Sequence, residues 1–250
     1  MPAEAAAQVV RSRHSNHAES DIVVGHTGWR SHAVLPGNQL RRPADPSLCV
    51  TTALGLLGMR GFTAHVGVRL IAQTRPAETV AVAAATGPGG LTRRPTGEGG
   101  WRASSRDRRQ PAEVRACEAE FRLRRGHRSP RCQPRRAVPP LLNEFARGQL
   151  RGLIAQYYAP QADARDQLPL TMRQILTRRL TVRGFINYDY SEYYPDFVRE
   201  VAPAVATARI QCREDIVEGL EHAPEACIGM LCGRNFGKFD RAGRRVKGSR

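Results

Sequence analysis

A chain of 250 residues with 41% hydrophobic residues is long and apolar enough to bury the core of one large domain or two small ones, so a globular fold is the default. The formal net charge of +16 would suggest a polyanion partner. However, residues 92–136 hold 14 Arg against 5 acidic residues, residues 239–250 hold 5 basic residues against one acid, and little net charge is left for the rest. All basic residues except Lys238 and Lys247 are Arg, a usage that fits GC-rich coding. No apolar run approaches a membrane span, and the first ten residues lack the pattern of a secretion signal, so a cytoplasmic location with no membrane partner is expected. The six cysteines, Cys49, Cys117, Cys132, Cys212, Cys227 and Cys232, lack paired zinc-ribbon spacing, so no metal site is expected.

In chain order, residues 21–25 read as a short strand entering a turn, with residues 31–35 as its partner. Residues 51–67 are small and apolar, with Gly55, Gly58 and Gly61, and suggest tightly packed helix or turn segments. Residues 79–85 form a continuous apolar run ending in Gly87-Pro88-Gly89-Gly90, the pattern of a buried strand entering a Gly-rich turn. From residue 92 to 136 neither a helical nor a strand template fits for more than a few residues, and disorder is expected. Residues 152–157 read as a strand, and Met172, Ile175, Leu176 and Leu180 mark one face of a short helix. Residues 180–188 read as a further strand. Tyr190, Tyr194, Phe197, Val198, Val201 and Val205 recur at helical spacing and should face a core, with Pro203 straining the last turn. Ala223, Ala226, Cys227, Met230 and Leu231 form a second stripe, with Pro224 and Glu225 suited to the helix start and Gly233 to its end. Together these pieces predict an α/β architecture.

A strand running into Gly87-Pro88-Gly89-Gly90 resembles the opening of a dinucleotide-binding turn, where glycines let the backbone approach a pyrophosphate. Five other segments accompany it in order: Gly25-His-Thr-Gly-Trp29, Leu57-Gly-Met-Arg-Gly-Phe-Thr-Ala64, Leu153-Ile-Ala-Gln-Tyr157, Arg183-Gly-Phe-Ile-Asn187 and Gly233-Arg-Asn-Phe-Gly-Lys238. With these the chain resembles the zinc-independent medium-chain reductases, the NADPH-dependent enone and alkenal reductases that include leukotriene B4 dehydrogenase, prostaglandin reductase and curcumin reductase.

The resemblance implies a partial GroES-like β domain (residues 1–44) and an incomplete Rossmann-type parallel sheet with helices. The sheet would begin in residues 45–91 and resume, with closing catalytic segments, in residues 137–238. It implies NADPH as cofactor, an enone or alkenal as substrate and hydride transfer to the β-carbon of an α,β-unsaturated carbonyl. By the same resemblance Tyr157 is the catalytic phenol. Gly87, Pro88, Gly90, Gly152, Ile154, Tyr157, Phe185, Ile186, Asn187 and Asn235 contact the cofactor, and Met59 with Thr63 lies on the substrate side. Read as residues alone, Tyr157 also suits a strand-end core position, Asn235 a turn, and the Gly87 to Gly90 cluster an ordinary turn.

The chain departs from this family pattern in several places. It is expected to be truncated at its start, and residues 92–136 replace the helix and strands that would carry the ribose and 2′-phosphate contacts. Residues 239–250, expected to be a basic disordered tail, replace a final apolar strand. Arg60, His65 and Arg151 stand where the family usually has Pro, Tyr and Cys. A frameshift would account for the Arg-rich segment: codons for residues 90–101, 101–113 and 122–129 can be chosen so that reading one base later gives an amphipathic helix, a Rossmann-like strand and a further family-like peptide, all at one offset. Impaired stability, cofactor binding and activity are therefore expected, and the homodimer of the family is doubtful here. The alternatives are a decayed product without function and a basic nucleic-acid-binding protein. The segment lacks the aromatic interleaving and the helix-turn-helix pattern that specific nucleic-acid binding would call for.

Overall fold

The computed structural model describes residues 3–75, 79–81, 102–104, 142–152, 168–210, 214–231 and 238–242. Its elements run β1 (Glu4–Gln8), β2 (Ile22–His26), α1 (Met59–Val66), β3 (Thr79–Ala81), β4 (Arg102–Ser104), β5 (Arg147–Leu150), α2 (Leu168–Arg178), β6 (Thr181–Gly184), α3 (Tyr194–Ala206), β7 (Glu214–Glu218), α4 (Ala223–Leu231) and β8 (Lys238–Ala242). The β1–β2 pair is antiparallel, whereas β3–β4, β5–β6 and β7–β8 are parallel. A parallel pair needs a crossover, and α2 and α4 lie in the connections of the second and third. The architecture is α/β, as expected.

Two compact units divide the chain: Met1–Phe62 with Tyr193–Arg250, and Thr63–Glu192. This partition cuts α1 between Phe62 and Thr63.

In the first unit β2 buries Val23 and Val24. Its partner is β1, paired from Glu4↔His26 to Gln8↔Ile22, and not residues 31–35, which form no strand. The Ala-rich β1 carries no β-branched signal, and the loop before β2 is too long for a tight hairpin, so the pairing left no local mark. Arg41, bridged to Val24, donates from Nη2 to the Glu4 carboxylate at 3.0 Å and to the Ala53 carbonyl at 2.7 Å. A Cβ on Gly61 would overlap the Leu56 carbonyl oxygen, so the close approach of that turn requires glycine. Phe62 meets Tyr194 and Phe197, both at 5.4 Å between ring centroids. The Tyr194 hydroxyl donates to the Leu57 carbonyl at 2.6 Å, and its burial raises the phenol above its ordinary range.

The expected stripe on α3 faces inward: Phe197 and Ala204 are buried and Tyr194, Val198, Val201 and Val205 half-buried. Pro203 sits inside the helix, which ends at Ala206 and is followed by Ala208 in the left-handed region (φ 53°). On α4 Ala223 is buried, and Ala226, Cys227 and Met230 are half-buried. The helix ends at Leu231, and Gly233 lies outside the described residues.

Two segments expected to lack order contain strands. Within residues 92–136, β4 pairs with β3, in the window whose offset reading yields a Rossmann-like strand. Within the basic tail, β8 pairs with β7 from Glu214↔Lys238 to Glu218↔Ala242. A parallel ladder is made by backbone groups, so a neighbouring strand can recruit a segment whose side chains show no alternation. The expected strand over residues 180–188 is confined to β6, after which a 3-10 segment (Asn187–Tyr193) follows.

On α2 the inward face also differs from the expected one. Thr171, Gln174, Ile175 and Arg178 are half-buried and Leu180 is buried, whereas Met172 and Leu176 are 54% and 78% exposed. Among the described residues no helix is long and apolar enough to cross a membrane.

Candidate functional site at the carboxyl edge of β5 and β6

Parallel strands present their carboxyl ends on one side, where open α/β sheets bind ligands. In the second unit β5 and β6 pair from Arg147↔Thr181 to Leu150↔Gly184, and the Phe185 N–H donates to the Leu150 carbonyl at 3.3 Å just beyond the last pair. Arg151 and Gly152 therefore emerge beside Phe185, Ile186 and Asn187.

The register is set at the amino ends. At the end of α2 the Leu180 N–H donates to Ile175 O at 2.9 Å across Arg179, which is left-handed (φ 51°), a Schellman-type closure. Phe145, also left-handed (φ 58°), donates its N–H to Arg178 O at 2.9 Å, and the Thr181 N–H donates to Ala146 O at 3.1 Å. The Arg179 guanidinium lies over the Phe145 ring, 4.7 Å from its centroid, and pairs with Glu144. These contacts start both strands together and so align their carboxyl ends.

Phe185 is half-buried, its ring edge-on to Tyr190 at 6.1 Å, and Arg183 Nη2 donates to the Tyr190 hydroxyl at 3.0 Å. Against it lies Gly67, where α1 passes into a π-helical turn, Gly67–Ile71. A Cβ on Gly67 would touch the Phe185 ring at 3.3 Å and overlap the Gln149 amide oxygen. That oxygen is buried without a hydrogen-bond partner. Arg147 Nε donates to Ala72 O at 2.6 Å and ties β5 to the end of the π turn.

At the edge itself Gly152 is exposed, and a Cβ there would meet no described atom within 4 Å. Arg151 is half-buried, and desolvation lowers its guanidinium below the ordinary arginine value. Among the described residues it has no hydrogen-bond or ion-pair partner. Ile186 is 62% exposed and Asn187 half-buried. The edge thus offers exposed backbone, one cation, an aromatic and aliphatic surface and a carboxamide, a donor set that fits an elongated ligand carrying phosphates and flat rings.

Of the residues expected to hold the cofactor, the structure brings together Gly152, Phe185, Ile186 and Asn187. Gly87, Pro88, Gly90, Ile154, Tyr157 and Asn235 lie outside the described residues. Gly152 itself is not in a strand: β5 precedes it, and residues 153–157 of the expected strand lie outside the described residues. Met59 and Thr63 stand four residues apart on α1, Met59 43% exposed and Thr63 half-buried. Gln149, Gly67 and the support of Phe185 by Tyr190 were not anticipated, since only the packing distinguishes them. An open depression of about 460 Å³ lined by Glu144, Leu170, Arg173, Gln174, Thr177 and Arg178 lies at the amino end of β5, away from this edge.

Over 256 residues the chain is 34% identical to the NADPH-dependent curcumin reductase of Escherichia coli (strain K12), a match covering 92% of this chain and 74% of that protein. The chain belongs to the zinc-independent medium-chain reductases. A second member of the family, the 2-alkenal reductase (NADP(+)-dependent) of Nicotiana tabacum, is 26% identical over 260 residues, covering 93% of this chain and 74% of its own length. Among solved structures, CurA from Vibrio vulnificus in complex with NADPH superposes with a TM-score of 0.86 at 30% identity, over 98% of this chain and 80% of that one. No protein-family model matches the chain. This medium-chain reductase therefore shares the α/β fold of relatives named as reductases.

Proposed function

We propose that this protein is an NADPH-dependent reductase of the C=C bond of α,β-unsaturated carbonyls, with the carboxyl edge of β5 and β6 forming part of its cofactor site. The observation that carries the reading is the β5–β6 register, which sets Gly152 beside Phe185, Ile186 and Asn187. The exposed Gly152 and an Arg151 without a partner among the described residues fit a dinucleotide, and relatives and a solved neighbour are named for NADPH. When bound, NADPH supplies the hydride that reaches the β-carbon of the substrate.

The chain's own residues bind, orient and exclude water. Phe185 and Ile186 give an apolar wall, held by Gly67 and Tyr190, and Asn187 supplies a carboxamide for a polar edge of the ligand. Gly87, Pro88 and Gly90 would let backbone N–H groups approach the pyrophosphate, Ile154 and Asn235 would add further contacts, and Met59 with Thr63 would face the substrate. The Tyr157 hydroxyl would donate a hydrogen bond to the carbonyl oxygen as it gains enolate charge, where a fixed donor assists most.

We further propose that binding and turnover are weaker than in its relatives, because residues 92–136 carry Arg-rich text where the ribose and 2′-phosphate contacts would fall. Titrating purified protein with NADPH, followed by nucleotide fluorescence, tests the site; consumption of NADPH with an alkenal or enone tests the reaction. Saturable binding with slow turnover that Tyr157→Phe lowers further is expected. No NADPH binding to folded protein would sink the assignment, and turnover matching that of the curcumin reductase would sink the impairment.

A further inference from the structure

Among the described residues Arg151 makes no contact that supports the fold. It follows the last residue of β5 at the carboxyl edge of a parallel pair, is half-buried, and has no hydrogen-bond or ion-pair partner among the described residues. Other arginines of the β5–β6 region are engaged: Arg147 with Ala72 O, Arg178 with Leu142 O, Arg179 with Glu144 and Arg183 with Tyr190. A cation taken partly out of water without a counter-charge destabilises the protein that carries it. The next residue, Gly152, is exposed, and a Cβ there would meet no described atom within 4 Å.

We propose that Arg151 is an anion-recognition residue that binds an oxyanion of the ligand seated at this edge, a phosphate of the cofactor or a carboxylate of the substrate. The guanidinium offers five N–H donors in a fixed fork that matches two oxygens of such a group. Partial burial strengthens that pairing relative to one made in water. The proposal deepens the cofactor-site reading and rests on it for the ligand, though not for the anion chemistry.

The test uses the full chain with Arg151→Gln, Arg151→Lys and Arg151→Met. Inorganic pyrophosphate, titrated calorimetrically at low salt, probes the anion site without a nucleotide. Arg151→Gln is expected to weaken it by about tenfold to a hundredfold, with Arg151→Lys in between. NADPH and NADH then separate the sources: equal weakening of both places the pyrophosphate bridge on Arg151, and loss confined to NADPH places the 2′-phosphate there. If neither cofactor changes but an enone acid loses its advantage in KM over its methyl ester, the substrate carboxylate is the partner. Arg151→Met should melt no lower than the wild type without ligand, since an uncompensated charge is removed. Pyrophosphate, cofactor and enone-acid binding that are all indifferent to Arg151→Gln would overturn the proposal while leaving the reductase reading intact. Pyrophosphate binding that depends on Arg151 without any NADPH binding would uphold the anion site and overturn the cofactor reading.

Discussion

In the first unit Phe62, Tyr194 and Phe197 meet ring to ring, with Leu57 and Val24 fully buried in the same unit; in the second, α2 buries no residue and β6 is exposed at all four positions. The second unit does bury Ala64, Val66, Ala72 and Leu180, but among the described residues these are small or isolated side chains with no aromatic cluster, and backbone ladders and arginine contacts join its strands. Apolar burial is the larger stabilising contribution, so among the described residues the first unit, with the larger buried apolar set, is expected to be the harder to open. The candidate ligand edge can gain order from a ligand.

The strongest way to break this contrast is Phe197→Ala, which should cost about 3–5 kcal/mol in denaturant unfolding because the three-ring cluster cannot collapse around the void. A loss near that of a surface change would mean the first unit is not the stable one. A paired glycine test sharpens it: Gly61→Ala should cost about 1–3 kcal/mol through its overlap with the Leu56 carbonyl. Gly152→Ala, at an exposed position, should move stability by no more than about 0.5 kcal/mol and show its effect in NADPH titration instead.

Tyr194→Phe removes the hydrogen bond to Leu57 O and should cost about 1 kcal/mol near neutral pH. Burial raises the folded-state phenol above 10.0, so the unfolded chain ionises first. The stability tied to the neutral phenol is fully present below about pH 10 and is lost as pH rises through the higher folded value. A pH series of melts should therefore show the wild type losing stability above that point faster than Tyr194→Phe does. Ala208→Gly relieves a left-handed alanine after α3 and should gain about 0.5–1 kcal/mol. Smallest of all, Leu176→Gln should change stability by no more than about 0.5 kcal/mol, since Leu176 is 78% exposed. A large loss there would show that α2 is covered after all.

Sequence alone determined the elements whose information is local. The 3.6-residue recurrence from Tyr194 to Val205 predicts α3 and its inward face, Pro224 and Glu225 mark the start of α4, and ordered short motifs such as Arg183-Gly-Phe-Ile-Asn187 identify the family and part of the candidate ligand edge. Tertiary structure decided what depends on a neighbour. The partner of β2, the recruitment of Arg102–Ser104 and Lys238–Ala242 as strands, and the inward face of α2 follow from backbone pairing and packing between distant segments. The desolvation of Arg151 and its lack of a partner among the described residues belong to the same class, because both are properties of a side chain's surroundings, which no residue encodes by itself.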